Sequence, residues 1–313
     1  MYPDVVLWEA LLFLVGGLWL VSWSADRFVD GAVSVAHRRN LSPFVVGMVI
    51  VGFGTSLPEL CVSAFSAVSG HGDLSLGNAY GSNIYNIAVI LGLMALLRPI
   101  RVRRPIRRYA VPVLAATGFV SWLLLLYLGG LPRWAAFGLL FAFAYLVRVL
   151  YADGTDRREL AIPKQDHAHP WVPVTAGLVA LLVSSHFVVW GSVVLARKLG
   201  VPELVIGLTI VAAGTSLPEL VTSLVAVKRR QPDLVLGNII GSNLFNTLAV
   251  VGVSGLLRPL PEVASGILLR DLPLMTVLSL SLFTKRVTRG RAVIWLLVFV
   301  AYQTSLWLVR AHL

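Results

Sequence analysis

The segment Gly54-Thr-Ser-Leu-Pro-Glu-Leu60 returns unchanged as Gly214-Thr-Ser-Leu-Pro-Glu-Leu220, 160 residues later. On either side the same offset holds without a gap, mapping residues 47–100 onto 207–260 with roughly 25 of the 54 positions identical. The shared strings include LGN (76–78 and 236–238), GSN (81–83 and 241–243) and LLRP (96–99 and 256–259). Further upstream the register persists weakly, with Ser24, Gly31 and Ala36 matching Ser184, Gly191 and Ala196. Self-similarity at a fixed offset marks a duplicated structural unit, here about 150 residues long.

The duplicated unit is too apolar for a water-soluble domain. Of 313 residues, 57% are apolar and 13% charged, about half the charged fraction usual in soluble chains. The apolar residues form blocks such as Val5–Ser22, Tyr109–Leu128, Trp134–Leu150, Pro173–Leu195 and Ala292–Val309, each long enough for a helix across a roughly 30 Å hydrocarbon core. The start, Met-Tyr-Pro-Asp, has no basic stretch or cleavage site, so the first span is not expected to be a removable signal. One cysteine, Cys61, allows no internal disulfide and no cysteine metal cluster. The net charge of +11 does not point to nucleic acid, because Lys and Arg fall in short loops between apolar blocks, as orientation in a membrane requires. The expected partner is the lipid bilayer, with no obligate protein partner evident and no cofactor.

Ten helices are predicted: 5–36, 43–69, 74–97, 107–128, 132–150, 171–198, 203–228, 234–257, 266–284 and 291–310. Five spans separate corresponding points of the two copies. Because five is odd, the second copy must be inverted relative to the first. The predicted fold is all-α and integral to the membrane, with one five-helix repeat over 1–150, a cytoplasmic connector over 151–170 and the inverted repeat over 171–313. Loop charges give the same answer independently. The turn Ser69-Gly-His-Gly-Asp73 has no Lys or Arg, whereas its counterpart is Lys228-Arg-Arg-Gln-Pro-Asp233. The positive-inside rule puts the first outside and the second inside. Six arginines in Arg98–Arg108 and four basic residues in Lys285–Arg291 fall on the same inner side, which leaves both termini outside a cell membrane.

Of 15 acidic residues, only Glu59 and Glu219 are predicted near mid-span. An intramembrane carboxylate costs several kcal/mol unless compensated and marks a functional site by default. No Lys or Arg lies at that depth, so the natural partner is a bound cation. Thr55 and Ser56 precede Glu59 by four and three residues, on one helix face. Pro58 lacks an N–H and should free the carbonyl of Gly54; Pro218 does the same for Gly214, so both helices are predicted to break. Carboxylates, hydroxyls and carbonyls are hard oxygen ligands for Na⁺ or Ca²⁺. In the following helix Asn78, Ser82 and Asn86 fall at four-residue steps, as do Asn238, Ser242 and Asn246. Gly77 and Gly81 form a strip that permits close helix approach. Ser and Asn in such helices also serve as interhelical glue, which is the leading role expected for Asn78 and Asn238.

Gly-Thr-Ser-Leu-Pro-Glu followed by Gly-Asn-x-x-Gly-Ser-Asn-x-x-Asn, present twice, resembles the paired α-repeats of the cation/calcium antiporter superfamily, in particular prokaryotic sodium/calcium exchangers. The resemblance covers nearly the whole chain. It implies a cluster of cation sites between the second, third, seventh and eighth helices, with transported Na⁺ and Ca²⁺ as substrates. By motif position it implies that Glu59 and Glu219 bind calcium with Thr55 and Thr215. It further implies that Ser56, Ser82, Ser216, Ser242 and the carbonyls of Gly52 and Ala212 serve outer sodium sites, with Asn86 and Asn246 central. This chain departs from the pattern at Asn246, where members often carry aspartate, so two central carboxylates stand where others have three. Two negative charges balance one Ca²⁺ and leave three Na⁺ with a net positive charge. Proton/calcium members usually have an acidic residue in the second motif, which this chain lacks.

A secondary antiporter is therefore expected. The alternatives are exchange of another cation pair and a cation channel. An enzyme is not expected: no HExxH, GxSxG or P-loop accompanies the glutamates, and GFGTSL at 52–57 lacks the context of a dinucleotide fingerprint. Asp26, Arg27 and Asp30 are read as a local ion pair or interfacial group, and His186, at Asp26's counterpart, as a hydrogen-bonded core residue.

Overall fold

A computed structural model of the chain describes residues 7–153, 169–200 and 212–311. Helix α1 (Leu7–Arg39) and helix α7 (Trp171–Lys198) occupy equivalent places in the two copies and pack along each other. Their contacts run in opposite directions: Gly17 meets Val188, Phe28 meets Gly177 and Gly31 meets Val174, so the helices are antiparallel. Glycine at four points permits the approach. A Cβ on Gly31 would lie 2.6 Å from the amide nitrogen of Val174, and one on Gly177 would lie 2.7 Å from that of Phe28. Between them the hydroxyls of Ser24 and Ser184 stand 3.5 Å apart. Small residues replace apolar bulk where membrane helices must touch, because lipid gives no hydrophobic drive to associate.

The motif helix is broken as expected. Helix α2 (Pro43–Thr55) and helix α3 (Leu57–Val68) meet at an angle of 44°. The break falls on Ser56, with φ −87° and ψ 10°, and Pro58 sits in the first turn of α3, where its missing N–H costs nothing. The second copy repeats the geometry: α8 (Ala212–Thr215), Ser216 at φ −91° and ψ 12°, then α9 (Leu217–Lys228) with Pro218 in its first turn. Helices α4 (Gly72–Leu97) and α10 (Pro232–Leu257) follow, each loosening into a π-helical turn at Asn86–Leu91 and Asn246–Val250. Such wide turns interrupt helices mostly at functional sites.

The remaining helices are α5 (Ile106–Leu128), α6 (Arg133–Asp153), α11 (267–280) and α12 (Arg289–Ala311). Among the described residues five helices, α1, α4, α5, α7 and α10, are long and apolar enough to cross a membrane, and the bent α2–α3 pair makes a sixth candidate. Large apolar side chains on the outer faces of α1, α5, α7 and α12, among them Trp19, Phe119, Val179 and Leu297, are exposed, as a lipid-facing surface requires. Residues 203–211 of the predicted seventh span, and most of the predicted connector, lie outside the described residues.

The motif glycines of α10 are more buried than those of α4. Gly237 and Gly241 lie against the backbone of α2: a Cβ on Gly241 would sit 2.6 Å from the Cα of Met48, and one on Gly52 would sit 2.8 Å from the nitrogen of Ser242. Gly77 and Gly81 are half-buried, and residues 203–211, most of the segment that corresponds to α2 in the second copy, lie outside the described residues. At the ends of the molecule two short pairings join the halves, a contact no helix pattern predicts. Strand β1 (Ile100–Arg101) pairs antiparallel with β2 (Arg286–Val287), and Leu131 bridges Leu260.

Two readings need correction. Asp26 and Asp30 do not form a local pair. Arg229, 199 residues beyond Asp30, binds Asp30 and reaches the Asp26 carboxylate at 2.9 Å, so the ion pair joins the two copies. Arg27 instead lies over the Trp23 ring at 5.5 Å. His186 is exposed on the face of α7 and is not a core residue.

Candidate cation site

Glu59 and Glu219 are both fully buried, each in the first turn of the helix that follows a break. An exposed helix start carries unpaired N–H groups and a partial positive charge, which suits a carboxylate. The bonds then cross between copies. The Ser216 hydroxyl donates to Oε1 of Glu59 at 2.9 Å, and the Ser56 hydroxyl donates to Oε1 of Glu219 at 2.8 Å. Each half supplies the serine for the other half's glutamate.

Around this core the predicted residues gather. The Ser242 hydroxyl donates to the carbonyl of Gly52 at 3.0 Å and stands 3.5 Å from Oε1 of Glu219. Ser82, its counterpart, is buried on α4 beside Glu59. Thr55 donates to the carbonyl of Val51 at 3.0 Å and lies 3.3 Å from Oδ1 of Asn238. Thr215 ends α8 at the matching position and Ala212 begins that helix. Asn78 and Asn238 are braces: Asn78 donates to the Glu59 carbonyl and to Ser63 at 3.1 and 2.9 Å, and Asn238 to the Glu219 carbonyl and to Ser223 at 3.3 and 2.9 Å. They tie each glutamate helix to the helix that follows it.

Sequence reasoning missed Asn83 and Asn243. Asn86 donates to Oδ1 of Asn243 at 3.0 Å, Asn243 to the carbonyl of Asn83 at 3.2 Å, and Asn83 to Thr247 at 2.8 Å. All are buried. The available signal was the intact GSN string in both copies, which spacing along one helix face had reduced to its serine.

What the protein leaves unsatisfied defines the site's chemistry. Oε2 of Glu59, Oε2 of Glu219, Oδ1 of Asn86 and both side-chain polar atoms of Asn246 are buried without a hydrogen-bond partner among the described residues. Leaving one such atom bare costs about 1–3 kcal/mol, more for a charge. Four of the five are oxygens, two of them on carboxylates, and a serine that gives its proton to a carboxylate keeps lone pairs for a cation. No cluster of three or more His, Cys, Asp or Glu occurs among the described residues. The donor set is thus two charges embedded in neutral oxygens, which fits a hard cation such as Na⁺ or Ca²⁺ and offers nothing to a thiophilic metal.

Comparison with known proteins follows the same lines. The family described as "Sodium/calcium exchanger protein" matches residues 9–152 and 169–308. The chain is 40% identical to the putative antiporter CaxA of Alkalimonas amylolytica, over 94% of this chain and 97% of that one. It is 29% identical to the sodium/calcium exchanger MaX1 of Methanosarcina acetivorans, over 96% and 98% of the two chains. Among solved structures, the sodium-calcium exchanger NCX_Mj soaked with 10 mM Na⁺ and zero Ca²⁺ superposes with a TM-score of 0.86 at 30% identity, covering 96% of this chain and all of that one.

Proposed function

This chain belongs to the sodium/calcium exchanger protein family, and from that membership we propose that it is a secondary antiporter exchanging Na⁺ for Ca²⁺ through one site shared by its two halves. The observation that carries the assignment is the reciprocal Ser56–Glu219 and Ser216–Glu59 pair with its two unspent carboxylate oxygens. Glu59 and Glu219 neutralise one Ca²⁺, assisted by Thr55 and Thr215. Ser56, Ser82, Ser216 and Ser242, with the carbonyls of Gly52 and Ala212, receive the Na⁺ ions that replace it. The amides of Asn86 and Asn246 face the same ions as neutral donors.

The architecture we propose is ten spans in two inverted halves, over 1–150 and 171–313. The antiparallel contact of α1 with its counterpart α7 supports the inversion. Inverted halves with broken helices at the midplane suit alternating access better than a continuous pore. The basic loops 98–108, 228–233 and 285–291 meet at one end of the molecule, which supports an inner end there and both termini outside a cell membrane. Nothing in this mechanism makes or breaks a covalent bond.

The test is uptake of radiolabelled calcium into proteoliposomes driven by an outward sodium gradient. Saturable uptake that collapses when sodium is equalised is the expected result. Uptake without sodium dependence would replace the antiporter with a channel or another coupling. Asn246→Asp in the same assay tests the departure from the family pattern: calcium uptake seen only in that variant would mean that the native cation is not calcium.

A further inference from the structure

Residues 98–101, 227, 230–232 and 286 enclose a groove of about 290 Å³ at the end of the molecule where the basic loops meet. Four of its lining side chains are arginines, Arg98, Arg101, Arg230 and Arg286, and no Asp or Glu lines it. Among the described residues none of the four guanidinium groups has an ion-pair partner; the nearby Asp233 is engaged by Arg103 at 2.9 Å. Arg101 and Arg286 are moreover direct cross-strand partners in the β1–β2 ladder, both exposed on its outer face. Like charges placed directly opposite are destabilising, so the fold holds together groups that repel.

Orientation in the membrane explains why arginines are frequent at this end. It does not explain why four of them, from three separate loops in both copies, converge on one concavity. The internal control is the equivalent groove at the opposite end, of about 230 Å³, built from Arg258–Leu260 and the turn at Gly70 and Gly72. There Gly70 stands at the place of Arg230 and Pro261 at that of Arg101, and Asp73 and Glu262 join the lining. Its one arginine donates to the Val68 carbonyl at 3.2 Å, and Asp73 accepts from the backbone of Ala264 at 2.9 Å. The duplicated backbone makes both grooves, and only one is loaded with positive charge that no described carboxylate compensates.

We propose that the arginine groove binds the phosphate of an anionic bilayer lipid headgroup. Guanidinium forks grip phosphate oxygens in pairs, and basic pockets at the ends of membrane helices are suited to such headgroups. A lipid rather than a free anion is favoured by what adjoins the groove. Leu97, directly before Arg98, is 58% exposed, and α12, which Arg289 ties to the Leu96 carbonyl at 3.0 Å, presents Ile294 and Leu297 outward. Headgroup and acyl chains would thus each meet the chemistry they need. The bound phosphate would also cancel the Arg101–Arg286 repulsion and clamp the 227–232 turn of the second copy to the 98–101 strand of the first.

The test uses the full chain in detergent micelles, titrated with phosphatidylglycerol, phosphatidylcholine or inorganic phosphate, reading the thermal midpoint and the lipid retained by mass spectrometry. Phosphatidylglycerol should raise the midpoint by at least about 2 °C, the scale of 1 kcal/mol in a chain of this size, while phosphatidylcholine does not. Arg98→Gln with Arg286→Gln should cut retained phosphatidylglycerol about tenfold. Arg230→Asn is a milder second variant, since φ at Arg230 is +60° and Asn tolerates that conformation; it should cut retention several-fold. Arg107→Gln with Arg108→Gln removes equal charge from the same end outside the groove and should retain lipid like the wild type. An equal loss in that control, or no response to phosphatidylglycerol, would overturn the proposal. Displacement of the lipid by millimolar inorganic phosphate would overturn the lipid source.

Discussion

Helices α2–α4 and α8–α10 carry the same motifs at the same spacing, yet they are packed differently. Every residue in the apolar window of α10 is buried, against 72% for α4. Gly237 and Gly241 are buried against the backbone of α2, whereas Gly77 and Gly81 are half-buried. Thr55 is buried while Thr215 is half-buried. The carboxylate bonds, by contrast, are matched to within 0.1 Å between the copies. A duplicated sequence therefore guarantees a symmetric centre but not symmetric flanks. A carrier that opens to one side at a time needs that combination: one ion site, and two flanks that exchange their packing.

If the centre is symmetric in function, Glu59→Gln and Glu219→Gln should each reduce sodium-driven calcium uptake by about 100-fold or more, the scale of losing one member of a buried charge set. Proteoliposome uptake by the two variants, side by side, checks this; a large loss in one and near-normal flux in the other would make the site one-sided. The flanks give the next largest effect. Gly241→Ala should lower the thermal midpoint, because the added methyl meets the Met48 backbone and overpacking costs about 1–3 kcal/mol. Gly81→Ala, at a half-buried position, should lower the midpoint less than Gly241→Ala but slow exchange about tenfold, if α4 must adopt in turn the close contact α10 now makes. Wild-type exchange in Gly81→Ala would mean that the two flanks never trade places.

Smaller effects sharpen the comparison at the asparagines. Asn86→Ala removes a bond to Asn243 and should cost about 1 kcal/mol, whereas Asn246→Ala removes atoms with no hydrogen-bond partner among the described residues and should cost less. Both should raise the calcium concentration needed for half-maximal uptake several-fold. Equal destabilisation of the two in a melting assay would mean Asn246 has a structural partner. Smallest is the ion pair of Arg229 with Asp26 and Asp30, which has no counterpart at the other end because Ser69, His186 and Trp190 occupy the equivalent positions. Arg229→Gln should cost about 1 kcal/mol, the range for partly exposed pairs, readable as a shift of a few degrees in thermal midpoint.

The duplicated motif and the span pattern made the all-helical membrane fold legible, and the predicted depth of Glu59 and Glu219 marked where the candidate site lies. What stayed hidden had a physical reason in each case. Placing Ser56 on the same helix face as Glu59 assumes a continuous helix, but the break falls on Ser56 itself and turns its hydroxyl to Glu219. The π-helical turns at Asn86 and Asn246 depend on the packing of neighbouring helices, which one helix's sequence does not encode. The partner of Asp30 lies 199 residues away, beyond any local pattern. The contrast between Gly81 and Gly241 could not be read at all, since both copies carry glycine there.

The crossed serine–glutamate bonds also constrain how the protein is made. Ribosomes deliver Glu59 to the membrane 157 residues before Ser216, the hydroxyl that will bond it. Until then the first half holds a buried acid without its intended donor, and neither half severed from the other contains a finished centre. Two separately expressed fragments, cut within 154–168, should each be inert and regain exchange only when they are synthesised together and find one another in the bilayer.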